Sequence, residues 1–196
     1  MRLIRSAVLV IAASAVALVP TAALADGSSH TDATGDVQSV AVDTQGTPTG
    51  VVTAEPTATN GDITSVHAAN GARKVKVVLH FADLHQAGDA QAFSVLIATP
   101  KMARLAVVAA KPGHWDGKAI LANVHGKKVR CSVGHKISYA HRKVVVKVPR
   151  SCLGQPKVIK VGSRSFIGEG SKLFFDDAYA AAGPLSPYSL SPRIRR

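Results

Sequence analysis

The carboxylates of Asp32-Ala-Thr-Gly-Asp36, with Asp62 further on and the pair Asp176-Asp177 near the C-terminus, are the side chains best placed for chemistry. A glycine between two aspartates permits a tight loop that turns both carboxylates inward. Hard cations such as Ca2+ take about six to eight oxygens from carboxylates, carbonyls and water. Asp32, Asp36, Asp62, Asp176 and Asp177 therefore form a candidate calcium set. It closes only where a C-terminal strand lies beside an N-terminal one. The spacing is not that of an EF-hand, and separate Asx turns capping strand ends account for the same residues.

Other chemistries find less in the chain. Its 8 histidines include no H-E-x-x-H and no Cys/His finger, although a hairpin would bring His67 and His80 across from one another. No serine sits in a G-x-S-x-G elbow. Glycoside cleavage needs two acids flanking a cleft at a set separation, and nothing singles out such a pair. The chain thus reads as non-catalytic, with no cofactor beyond Ca2+. A secreted hydrolase is the weakest alternative.

Charge is divided along the sequence. All of the 24 Lys and Arg except Arg2 and Arg5 follow Ala72, whereas half of the 12 acids precede it. Lys128, Arg130, Arg142, Lys143, Lys147 and Lys160 are candidate contacts for a polyanion, which such a surface attracts in a salt-dependent way. Nucleic-acid modules add stacking aromatics, and 5% aromatic residues leaves few to spare from the core. An anionic wall polymer or an acidic glycan fits better. The same lysines also serve a plainer purpose, keeping strand faces soluble.

The elements that must position these groups are strands. Ile63–Ala69 and Val75–Phe81 alternate in polarity about Asn70-Gly71, a hairpin signature. Ala92–Ala98 pairs with Leu105–Ala109 across Thr99-Pro100-Lys101, and Val144, Val146 and Val148 alternate with lysines up to Pro149. Strands about ten residues apart, separated by Gly, Pro and Asn, predict a single antiparallel β-sandwich, jelly-roll-like, of about eight to ten strands. It spans 26–182, with 183–196 an extended or disordered basic tail. Cys131 and Cys152 are the only cysteines, and one disulfide is the simplest pairing, against free thiols or a metal pair.

The start of the chain sets the compartment. Arg2 and Arg5 precede an apolar run, Ala7–Val19, then Pro20 and the small-residue site Ala23-Leu24-Ala25. That is the pattern of a signal peptide over 1–25, cleaved after Ala25. The run is too short for the roughly twenty residues of a membrane-spanning helix, and no later segment is apolar enough. A secreted product meets the oxidising conditions that a disulfide needs.

Asp32-x-x-Gly-Asp36-Val, Gly61-Asp-Ile63, the segment Ala72–Leu84 and Val148-Pro-Arg-Ser-Cys-Leu-Gly154 occur in that order. Together they resemble a group of uncharacterised secreted proteins of high-GC Gram-positive bacteria, over most of the mature chain. More distantly, the arrangement is similar to family 9 carbohydrate-binding and DOMON-like β-sandwiches. That likeness implies two packed antiparallel sheets, in a group whose members bind sugars, haem or calcium. Its sugar sites enclose the ligand between aromatic rings, and Trp115 is the single tryptophan here. The resemblance thus bears on fold rather than on site residues. Two functions follow as expectations: a secreted binding module for an extracellular anionic polymer or glycan, or a structural or protein-interaction component of the envelope, calcium-stabilised.

Overall fold

The structure is a computed structural model and describes residues 27–180 and 187–196. The signal-peptide expectation falls on residues outside that range. Two antiparallel sheets pack as a sandwich. Numbered in chain order, the first sheet runs β1 (Gly27–Thr31), β4 (Ile63–Asn70), β5 (Lys74–Phe81), β10 (Lys143–Pro149) and β9 (Gly134–Ser138). The second runs β3 (Thr53–Ala54), β2 (Gln38–Ala41), β12 (Lys172–Asp177), β11 (Val158–Glu169), β6 (Ala90–Ala98), β7 (Ala103–Lys111) and β8 (His114–Asn123). A two-residue strand, β13 (Ile194–Arg195), adds to β11.

Alternation builds the core. In β5, Val75, Val77, Leu79 and Phe81 are buried while Lys74, Lys76 and His80 are exposed, because successive side chains leave a strand on opposite faces. Val144, Val146 and Val148 of β10 repeat the pattern. Phe93, Val95 and Ile97 of β6 meet them from the other sheet, and Phe81 contacts Phe93 edge-on at 5.5 Å between ring centroids. Each fully buried side chain of this size is worth about 1.5–3 kcal/mol.

Two local expectations change in detail. The hairpin at Asn70-Gly71 forms, but Gly71 donates its N–H to the Lys74 carbonyl and residues 71–73 make the connection. Asn70 is fully buried, and its amide reaches the carbonyls of Pro156 and Lys157 at 3.4 Å, so it ties two loops together instead of turning the chain. The register then sets His67 against Val78 and His80 against Ser65, and the two histidines are not paired. Strand β11 runs unbroken from Val158 to Glu169 and continues through Gly162. A Cβ there would lie 2.6 Å from the Ser189 carbonyl oxygen, since the C-terminal segment crosses at that point.

That segment is held against the sandwich over 187–196: Ser191 and Ile194 are buried, and β13 pairs with Val158 and Ile159. The disulfide Cys131–Cys152 joins the approach to β9 with a short 3-10 turn, Arg150–Leu153, after β10. With the cysteines 21 positions apart in sequence, its loss will lower unfolding stability by about 3 kcal/mol. Urea unfolding of the Cys131→Ser/Cys152→Ser variant measures this, and an unchanged midpoint would contradict it.

Candidate functional site

Three segments meet where the two sheets come together at one end of the sandwich. The loop after β1 carries Asp32 and Asp36 across from the first sheet to β2 in the second. Asp62 stands at the entry to β4, and Asp176 lies in β12, which pairs with β2. Oxygens of Asp36, Asp62 and Asp176 lie within 4.8 Å of one another. Backbone donors fix the carboxylates: Ala33 N–H to Asp32 Oδ1 at 3.0 Å, Gly35 N–H to Asp62 Oδ2 at 2.9 Å, Ile63 N–H to Asp176 Oδ2 at 2.7 Å. Gly35 has φ 78°, a conformation that glycine adopts without steric cost, and this aims its N–H at Asp62. Of the other oxygens, Asp32 Oδ2, Asp62 Oδ1 and both of Asp36 are buried with no partner among the described residues.

Electrostatics follow from that crowding. Burial, reinforced by the charges of Asp32, Asp36 and Asp62, pushes the Asp176 carboxyl up to about 8. Burial and the neighbouring Asp36 charge push Asp32 up to about 7. Burial also raises Asp36 and Asp62. Asp62 and Asp176 are only 1% and 2% exposed, which suits an ion or a proton and not a chain-like substrate.

Asp177 does not join them. Its side chain leaves β12 on the other face, where Oδ2 accepts from Arg164 Nε at 2.7 Å and Oδ1 from the Tyr179 N–H. The Arg164 side chain is 3% exposed, lies 4.2 Å from the Tyr188 ring centroid, and donates to the Pro187 carbonyl. This network anchors the C-terminal segment. Nothing in the sequence singles out Arg164 or Tyr188: Gly162-Ser-Arg-Ser165 lacks the pattern of a nucleophile elbow and carries no other signal.

The cationic candidates are also redistributed. Lys143 and Lys147 stand on the outer face of the first sheet. Lys160 sits on β11, on the opposite sheet. Lys128 and Arg130 lie in the β8–β9 connection, and Arg142 is turned toward Asp83, with Nε 3.7 Å from a carboxylate oxygen, and toward the Ala82 carbonyl. In their place the register adds Lys74, Lys76 and His80 from β5, Lys136 from β9 and His67 from β4. Lys147 is directly opposite Lys76, Lys143 is opposite His80, and Lys136 is opposite Val145. No Asp or Glu occurs in β1, β4, β5, β9 or β10. Alternation puts Lys74, Lys76, Lys143 and Lys147 on the faces of their strands away from the core, but which strands become neighbours is not readable from it.

No family model matches the chain, and neither the curated proteins nor the solved structures yield a match.

Proposed function

We propose that this chain is an exported, non-catalytic binding module whose outer face on the five-stranded sheet takes an extracellular anionic polymer, a wall polymer or an acidic glycan. One observation carries the proposal: Lys76 and Lys147 stand opposite each other on an exposed sheet face that has no acid on any of its five strands. Like charges directly opposite on neighbouring strands destabilise a sheet, and an acid at either position would relieve them. Lysine at both positions suits a ligand that supplies the missing negative charge. Lys74, Lys136 and Lys143 extend the field to either side, and Val78, only 8% exposed, forms an apolar floor between the basic stems.

Retention on immobilised polyphosphate and on polygalacturonate, with neutral dextran as the control, tests the proposal. The protein should be retained on at least one acidic matrix at about 50 mM NaCl and released at about 500 mM, because binding to a polyanion displaces its counterions. No retention at low salt, or equal retention on dextran, contradicts it. Lys147→Glu separates a binding role from a solubility role. It should weaken retention roughly tenfold, while leaving stability unchanged or raised by up to ~0.5 kcal/mol. A solubility role predicts no change in retention.

A further inference from the structure

We propose that Asp32, Asp36, Asp62 and Asp176 bind one divalent cation, Ca2+, which staples the two sheets at the end where the N-terminal loop crosses between them. The proposal is independent of polymer binding and concerns the opposite kind of charge.

Geometry comes first. Calcium–oxygen distances of about 2.3–2.6 Å place ligands on opposite sides of one ion about 5 Å apart. The oxygens of Asp36, Asp62 and Asp176 lie within 4.8 Å of one another, so a single ion touches all three without rearrangement of the backbone. Asp32 adds a fourth carboxylate from the same loop as Asp36, with Oδ1 held by the Ala33 N–H and Oδ2 buried.

A second observation points to a ligand. Asp62 is 1% exposed and one of its oxygens lies within 4.8 Å of those of Asp36 and Asp176; Oδ2 is held by the Gly35 N–H, and Oδ1 is buried with no partner. Asp32 repeats the arrangement, with Oδ1 on the Ala33 N–H and Oδ2 unpartnered, and both oxygens of Asp36 are unpartnered too. Buried carboxylate oxygens are almost always satisfied, so this many together call for a missing partner. No Lys or Arg fills the role: the ion pairs among the described residues use Asp83, Asp177 and Glu55. That is notable in a chain with 24 basic residues against 12 acids. Separate Asx turns, the alternative for these aspartates, would leave each carboxylate solvated at its own strand end. Here one oxygen each of Asp32, Asp62 and Asp176 is pinned by a backbone N–H, which orients the carboxylates before any ion arrives, as second-shell partners do at metal sites.

The ion would add to the hydrogen bonds that already join the loop between β1 and β2, the entry to β4, and β12. Its charge would offset four carboxylates that otherwise repel.

Calorimetric titration of the chelator-treated protein with CaCl2 and, separately, MgCl2 at pH 7.5 provides the test, alongside thermal melts. One Ca2+ per chain should bind, and the melting temperature should rise by about 5–10 °C at a hundredfold excess over Kd. Asp36→Asn and Asp62→Asn should each weaken Ca2+ binding about tenfold or more, with a far-UV spectrum still that of a β-protein. Asp36→Asn, at the more exposed position, keeps the test usable where Asp62→Asn fails to fold. Asp116→Asn, in exposed β8, should leave the Ca2+ response intact. No heat and no melting shift with Ca2+ overturns the site, as does a Ca2+ affinity and melting shift undiminished in Asp36→Asn. An equal response to Mg2+ overturns the assignment to calcium.

Discussion

Replacing Asp176 and Asp177, neighbours in sequence, by asparagine will move the stability of the metal-free protein in opposite directions at pH 8. Asp177→Asn takes the carboxylate away from a guanidinium whose side chain is 3% exposed, and it weakens the acceptor of the Arg164 bond at 2.7 Å. Breaking one side of a buried pair costs about 3–5 kcal/mol, because the other charge stays desolvated. The C-terminal segment should loosen as well, since Arg164 also holds Pro187 and Tyr188. Asp176→Asn does the reverse. Near its pKa of about 8, Asp176 is partly ionised beside three other aspartates. An amide of the same shape can still accept from the Ile63 N–H without the charge. The expected gain is about 1 kcal/mol, the scale of one pKa unit. Urea unfolding in chelator reads both, and equal losses in the two variants would contradict the assignment of separate roles.

The melting temperature of the metal-free protein will fall as pH rises from 5 to 8. An aspartate in the unfolded chain has a pKa of about 3.9. Asp32 and Asp176 titrate near 7 and 8 in the folded protein, both through burial and neighbouring carboxylates. Between those limits the folded state holds more protons than the unfolded state, so the slope of unfolding free energy against pH is negative. Stability contributed by the protonated cluster is therefore present in mild acid and is lost by pH 8. Two groups titrating together should lower the midpoint by roughly 5–10 °C. Asp176→Asn should flatten the slope, which assigns it to this cluster and not to the histidines. A melting temperature that climbs from pH 5 to 8 in chelator would contradict the raised values.

How much of this was legible differs between the fold and the sites. The sandwich follows from local pattern: Lys74–Phe81 and Lys143–Pro149 alternate well enough to name their core-facing residues in advance, although Val78 on the outer face is buried as well. What makes β5 and β10 neighbours is pairing between segments far apart in sequence, and no local pattern encodes it. For that reason the cationic surface was found in part, through Lys143 and Lys147, while Lys74, Lys76 and Lys136 joined only once the register was known. Lys160 was excluded by the same register, since its strand belongs to the other sheet. The acidic set shows a different limit. Asp32, Asp36, Asp62 and Asp176 converge because β12 pairs with β2 and the β1–β2 loop lies beside the entry to β4. Asp177 could have been set apart beforehand, because adjacent residues on a strand face opposite sides and cannot both enter one site. The hydrogen-bonding use of Asn70 and the network of Arg164 with Tyr188 depend on where remote backbone arrives, and a reading of turn signals misses both.

The most direct measurement of the binding proposal is amide chemical-shift mapping of the protein during titration with a short polyphosphate chain, at low salt and again at high salt. Perturbations should gather on Lys74, Lys76, Lys136, Lys143 and Lys147 and on the intervening Val78 and Val145, sparing Lys160 on the other sheet, and should collapse at high salt. Shifts spread evenly over every exposed lysine, or centred on the eight-stranded sheet, would contradict the assignment of the five-stranded face as the binding surface.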